Sequence, residues 1–406
     1  MYLDFAWRYF RAKKSANAIN IISWVTAGVI AFATCCQVLV LSVFNGFEGL
    51  VKSLYSSFYT DLKVVPASGK TFLIDSSRIS LIQQQPFIEQ VSFIAEEKAL
   101  LQNGESQSVV QLKGVDDLFG KVSGVPAKIT KGSFLLGTTD EPKVIVGAGI
   151  QNAAGIILND AFDPGQLTVI LPKVNIKSND PLQSLSEGNI VPSGVFAIQQ
   201  DFDNSYAITN IGFVKQQTGM AANEFTAIEI KLKNGADIDD SKESLQQLIG
   251  NKFTVQSRYQ QNSNLYNTMK MEKWAIYAVL TLILVIAAFN MVSALTMLVL
   301  EKKQDIAILQ SMGTTRAQVK KIFLSEGLLL GAIGASIGIT LAALICFLQI
   351  KYRIIKLQGG SFLIDYFPVK LIPGDFLLVA GTAMAIAFIA SWFPSHKASR
   401  QPMELR

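Results

Sequence analysis

The chain has 406 residues, 50% of them hydrophobic and only 17% charged, with 36 Lys/Arg against 31 Asp/Glu. Soluble domains carry about 25% charged residues, so an ordinary water-soluble globule is a poor fit. Residues 49–272 hold 19 Lys/Arg and 23 Asp/Glu, and the remainder 17 and 8. The positive excess therefore flanks apolar runs, which excludes the concentrated basic module of a nucleic-acid binder.

In chain order, residues 1–18 form a leader in which Tyr2, Phe5, Trp7, Tyr9 and Phe10 stand among Arg8 and Arg11. That mixture suits a short helix lying in the headgroup plane or an inward extension of a span. Four stretches, 15–47, 274–300, 327–350 and 376–395, lack Asp, Glu, Lys, Arg and His. Each reaches the roughly 20 residues that cross a hydrocarbon core as a helix. Spans are expected at 19–47, 273–300, 327–350 and 376–395. The first is too long for a cleavable signal and reads as a retained anchor. It also exceeds the bilayer, so it must tilt or continue as a stalk; span two raises the same question.

Basic residues set the expected orientation. The leader, the loop 301–326 and the tail 396–406 together carry 12 Lys/Arg, against four in the loop 351–375. Both termini are expected inside, with residues 48–272 exported. Cys35, Cys36 and Cys346 all fall within spans, so the exported domain has no disulfide framework.

The fold class expected is an α-helical membrane protein with four transmembrane helices and a large mixed α/β extracytoplasmic domain between helices 1 and 2. In that domain Asp61–Val65 reads as a strand and Ser77–Gln85 as a helix ended by Pro86. Val91–Leu101 and Ser106–Gly114 flank the hairpin signal Asn103-Gly104. Ala148–Ile157 is a helix candidate. Phe225–Leu232, Asp237–Ile249 and Phe253–Gln256 read as strand, helix and strand. Two lobes follow: one from the pieces nearest spans one and two, the other from the middle. The polar stretch Pro172–Pro192 is long enough to be functional or disordered.

Several motifs carry little chemistry. Gly69-Lys70-Thr71 ends like a phosphate loop, but Val64 stands where the first glycine is required. His396 is the single histidine, beside Lys397, and offers no partner for metal or nucleophile chemistry. The four spans contain no Asp or Glu, which argues against ion-coupled transport and intramembrane proteolysis. Gly327, Gly331, Gly334 and Gly338 give small-xxx-small spacings, for packing within the chain or against a second copy. The inner loop is more informative. Ile306, Ile308, Leu309 and Met312 recur on a short amphipathic helix stopped by Gly313, and Thr314 or Thr315 can cap the next helix. Such a helix, exposing an apolar ridge, could dock a cytoplasmic partner.

These residues resemble a known family. Phe5-Ala6-Trp7-Arg8-Tyr9 with Arg11-x-Lys13-Lys14, and Leu41-Ser42-Val43-Phe44-Asn45-Gly46-Phe47-Glu48, are similar to the lipoprotein-releasing permeases of bacterial ABC transporters. The stretch Glu301 to Thr315, including Lys303, Gln304 and Asp305, resembles their coupling helix; Phe323-Leu324-x-Glu326-Gly327 and the tail Trp392-Phe393-Pro394-Ser395 follow the same pattern. The likeness covers the whole chain. It departs at Phe44 and Gln310, where the family often has Met and Arg. It implies a non-catalytic permease that binds no cofactor itself, ATP and Mg being held by a cytoplasmic ABC ATPase dimer. A second permease copy or homologue, a lipoprotein substrate, a periplasmic lipoprotein carrier and membrane lipid complete the implied partners, with no nucleic acid. Lys303, Gln304, Asp305, Ile306, Ile308, Leu309, Met312 and Gly313 would dock the ATPase, and Ile306 to Gly313 would transmit its closure. Spans one and two would serve as stalks, with Val40, Val43, Phe44, Phe47, Ile276 and Leu280 facing the lipoprotein. Val174, Asn175, Ile176, Pro181, Leu182 and Leu185 fall where some members carry a carrier-binding hook. The alternatives are a membrane scaffold regulating a periplasmic partner without transport, as in cell-division permeases, and an efflux permease. A macrolide exporter would have an ATPase ahead of span one, and a cell-division permease a smaller exported domain.

Overall fold

The computed structural model describes residues 17–158, 165–173, 184–357 and 366–400. The expected leader helix, the end of the tail and Val174, Asn175, Ile176, Pro181 and Leu182 lie outside these residues. The chain divides into two compact units, Met1–Leu50 with Asn267–Arg406, and Val51–Tyr266.

In the first unit four helices are long and apolar enough to cross a membrane. They are α1 (Asn17–Phe58), α2 (Ser263–Glu301), α4 (Arg316–Tyr352) and α5 (Pro373–Ser399), with a short helix α3 (Lys303–Ser311) between α2 and α4. All four outrun the apolar stretches that announce them. At 42 residues, α1 would be about 63 Å long, roughly twice a hydrocarbon core. Polar residues continue these helices where the apolar run stops, and α5 runs on past Pro394, whose missing N–H removes one i→i−4 bond without ending the helix. Small residues bring the helices together. Ala27, Ala33, Ala287, Ala383 and Ala387 are buried in one cluster with Ile30, Leu284, Met291 and Leu330. In lipid, where burying apolar surface drives little association, such small contacts allow the close backbone packing that does.

Polar groups tie the same helices. The Gln37 amide donates to Thr281 Oγ1 at 3.1 Å, between α1 and α2. At the end away from α3, Lys273 Nζ donates to Asn45 Oδ1 at 2.9 Å and to Asp375 at 3.1 Å, and Asn45 Nδ2 donates to Asp375 at 2.6 Å. This cluster joins α1, α2 and the start of α5.

Val51–Tyr266 is built on a 10-stranded sheet. Its strands are β1 (Leu62–Pro66), β2 (Ile88–Asn103), β3 (Ser106–Val115), β4 (Ile129–Gly132), β5 (Lys143–Gly147), β6 (Leu167–Pro172), β7 (Leu185–Phe196), β8 (Tyr206–Asn210), β9 (Ala227–Leu232) and β10 (Phe253–Ser257). The order is β10-β1-β9-β2-β3-β8-β5-β7-β4, with β6 pairing β2 and β7. The β2–β3 hairpin turns at Asn103 and Gly104, where Gly104 has φ 58, a left-handed conformation that glycine adopts without strain. Helix Ser76–Gln83 stands beside β2 and helix Ile238–Ile249 beside β10, and the Asp237 carboxylate caps the latter by accepting from Asp239 and Asp240 N–H. The helix expected over Ala148–Ile157 is shorter, Ala148–Ala153, and is followed by Gly155 at φ 59.

The two expected lobes are not separate bodies. The start of β2, Ile88–Ile94, pairs with β9, and the rest pairs with β3 and β6. One strand is thus shared by both halves, and each half keeps its own apolar cluster, around Val64 and Ile230 in one and Leu112 and Val169 in the other. A third cluster is aromatic and receives the end of α1: Tyr55 and Phe58 pack with Phe119, Phe196 and Phe202. Phe58 stacks on Phe202 at 4.3 Å between centroids, and the Tyr55 hydroxyl donates to Asp201 at 2.6 Å.

Candidate functional site

The helix α3 and its flanks form the best-defined candidate. Its start follows α2 after a single residue, and Lys302 pairs with Asp305 at 3.2 Å. It stops because Gly313 takes φ 96. The Thr314 N–H then reaches Leu309 O and the Gly313 N–H reaches Gln310 O, both at 3.0 Å, a Schellman closure of the helix end. Thr315 then opens α4 with a capping box, its hydroxyl accepting from Gln318 N–H while Gln318 Oε1 accepts from Thr315 N–H. The turn between α3 and α4 is thereby fixed at both ends.

The apolar residues of α3 divide into two roles. Ile306 is 2% exposed and packs with Leu298, Val299, Val319, Phe323 and Ala398. It anchors α3 to α2, α4 and α5, so its place among the expected docking residues is corrected: a side chain already buried in its own chain cannot also cover a partner. Ile308 is 54% exposed and Met312 77%. One turn apart, they share a face. Gln304 is also exposed, while Lys303, Asp305 and Leu309 are half-buried. Lys320 Nζ sits 3.5 Å from the Trp392 ring centroid, tying the start of α4 to α5.

Glu326, which the motif Phe323-Leu324-x-Glu326-Gly327 contains, is 2% exposed inside α4, and Lys302 is the cation that acts on it. The apolar run beginning at Gly327 hid this residue, because α4 starts at Arg316 and carries Glu326 into the bundle.

The glycine stripe packs within the chain. A Cβ on Gly327 would overlap Ser391, and one on Gly331 would meet Ala387 Cβ at 2.5 Å, both on α5. On α1, a Cβ at Gly334 would lie 2.8 Å from Ala27 O, and one at Gly338 would overlap Thr34 and Ala31. The stripe thus lets α4 touch α5 with one half and α1 with the other. Among the stalk residues, Val40 is exposed, while Val43, Phe44, Phe47, Ile276 and Leu280 are half-buried. Phe47 stands edge-on to Phe367 at 5.7 Å. Leu185 begins β7 opposite Pro172, so the described ends of the expected hook are the two strands of a hairpin.

Within Val51–Tyr266 the least expected feature is an ion pair inside the sheet. Lys113 Nζ is 2.7 Å from Glu229 Oε1, with both side chains almost fully buried. The ammonium also lies 4.8 Å from the ring centroids of Phe58 and Phe119. Burial, with the nearby carboxylates of Glu96, Asp201 and Glu229 adding to it, pushes the Tyr59 phenol up to about 12. Lys215 donates to Ala222 O at 2.8 Å over the Phe225 ring; burial lowers its ammonium to about 8, partly offset by Glu224. Among the described residues no group of His, Cys, Asp and Glu could hold a metal ion.

The FtsX-like permease C-terminal profile matches residues 277–403, which run from α2 to the tail. The lipoprotein-releasing system transmembrane protein LolC of Neisseria meningitidis is 27% identical over 98% of this chain and 96% of its own length. The corresponding LolE protein of Haemophilus influenzae is 26% identical over 98% and 97%. The periplasmic region of MacB from Actinobacillus actinomycetemcomitans aligns with 54% of this chain and 98% of its own, at 14% identity and a TM-score of 0.37.

Proposed function

From a chain that carries an FtsX-like permease domain, and is a relative along nearly its whole length of the transmembrane proteins of lipoprotein-releasing systems, we propose the permease subunit of a lipoprotein-releasing ABC transporter in a bacterial inner membrane. Residues 51–266 lie on the outer side and both termini inside. A separate cytoplasmic ATPase dimer supplies ATP hydrolysis. The permease, paired with a second copy or a homologue, uses that work to lift lipoproteins out of the membrane and pass them to a periplasmic carrier.

The observation that carries this reading is the division of labour on α3. Ile306 fastens the helix to three others, so force applied to α3 reaches α2, α4 and α5 together. Ile308 and Met312 stand out from the same helix as an apolar ridge with nothing of their own unit to cover it. A push on α3 thus acts on three helices of its own unit at once.

The test is reconstitution of the full chain with its ATPase, a labelled lipoprotein and a soluble carrier in proteoliposomes. ATP-dependent transfer of label to the carrier is the expected result. ATPase binding and turnover with no release of lipoprotein would instead assign the chain to a regulatory scaffold.

A further inference from the structure

The loop between α4 and α5 runs against the charge rule that orients the chain. It carries Lys351, Arg353, Lys356 and Lys370 at the end of the bundle opposite α3, where basic residues are normally sparse. The one acidic side chain among its described residues, Asp375, is already engaged by Lys273 and Asn45. Two of the four cations stand at a cavity.

That cavity has a volume of about 410 Å³ and lies between α1 and the loop, within the range of small-molecule sites. Gly46 and Gly49 give it a floor of bare helix backbone, and a Cβ at Gly46 would overlap the carbonyl of Pro368. Phe367, Val369 and Ile350 supply apolar wall. Arg353 and Lys370 supply the charge, and none of the described lining residues is acidic.

The loop is held in place to form this shape. Gln349, buried at the end of α4, donates its amide N–H to Ile355 O at 3.0 Å and Phe367 O at 3.2 Å and accepts from Ile355 N–H at 2.9 Å. Arg353 takes φ 50, the one positive φ at a non-glycine among the described residues. A left-handed conformation is unfavourable for a side chain with a Cβ and persists where surroundings enforce it. Its guanidinium lies 4.2 Å over the Tyr366 ring, a stacking that leaves the edge N–H groups free to donate. Lys370 is fixed through its backbone N–H, which donates to Ser42 O at 3.0 Å. Exposed Tyr352, Ile354 and Ile355 flank the cations, and Ile350 with Phe347 continues an exposed apolar track down α4. Cations beside aromatic and aliphatic side chains at the end of a span are the composition of the headgroup zone.

We propose that this cavity is a binding site for the phosphate of an anionic phospholipid, Arg353 and Lys370 donating to its oxygens while an acyl chain follows Ile350 and Phe347. The site serves the permease's own lipid contacts and does not depend on which cargo, if any, is released.

The experiment uses the purified full chain in phosphatidylcholine nanodiscs doped with a photoactivatable phosphatidylglycerol, with cross-links mapped by peptide mass spectrometry. Labelling is expected on the peptides bearing Arg353 and Lys370. It should fall about a hundredfold in Arg353→Gln/Lys370→Gln, since each of the two charge-assisted hydrogen bonds lost is worth about tenfold. It should fall similarly in Gly49→Leu, whose side chain enters the cavity while both cations remain. Unlabelled phosphatidylglycerol should compete, and diacylglycerol of the same chains should not. Unchanged labelling in either variant, or equal competition by diacylglycerol, overturns the site. Displacement by millimolar inorganic phosphate overturns the lipid as its source and leaves a soluble-anion site.

Discussion

Removing the ridge of α3 should release the ATPase without disturbing the bundle. Ile308 and Met312 are 54% and 77% exposed, and full burial of such a side chain is worth about 1.5–3 kcal/mol. Scaled by those exposures, covering both contributes about 2–4 kcal/mol to docking, or roughly 30-fold to several-hundredfold in affinity. Ile308→Ala/Met312→Ala should weaken ATPase binding by that factor and leave the melting temperature unchanged, because neither side chain holds the fold. Ile306→Ala provides the contrast. At 2% exposure it belongs to the core, and its truncation should cost about 2–5 kcal/mol of stability. The assay is a titration of ATPase onto the permease in nanodiscs, alongside a thermal melt of each variant. Wild-type affinity in the double alanine variant, with its fold intact, would refute the docking role of α3. An unaltered melt for Ile306→Ala would refute its anchoring role.

Three further outcomes are expected. Gly338→Ala puts a methyl into Thr34 and Ala31 and should destabilise the bundle by about 1–3 kcal/mol, whereas Gly381→Ala, with nothing within 4 Å of its Cβ, should not; thermal melts in detergent compare them. Lys113→Met leaves Glu229 as a buried, unpaired carboxylate and should cost about 3–5 kcal/mol in chemical denaturation, with Lys113→Met/Glu229→Leu regaining most of the loss. Burial holds Lys215 near about 8, below its ordinary 10.5, so between those values the unfolded chain binds the extra proton and stability rises with pH; Lys215→Gln should flatten that rise in melts taken from pH 8 to 10.

Some features needed only local information. Four uncharged runs mark four helices, because a helix satisfies its backbone internally and apolar length alone decides whether it can span. Asn103-Gly104 marks the β2–β3 turn, Asp237 the start of its helix, and Gly313 with Thr315 the break between α3 and α4, since caps and turns are decided by adjacent residues. The motifs at both ends and in the inner loop are enough to show a likeness to lipoprotein-releasing permeases.

Other features arise only where distant residues meet. Sharing of β2 between the two halves of Val51–Tyr266 depends on pairings with strands far along the chain, as Ile230 opposite Val91 shows. Ile306 and Ile308 are alike in sequence, and which one is buried depends on Leu298, Phe323 and Ala398 converging on one side of α3. The Lys113–Glu229 pair spans 116 residues; as isolated sequence positions, each reads as a surface charge. The length and the charges by themselves determined a four-span membrane protein carrying a large inserted domain. Only the tertiary structure decided which apolar side chains hold it together, which remain for a partner, and where cations on the loop before α5 frame a cavity, because burial is set by what packs against a residue and not by the residue alone.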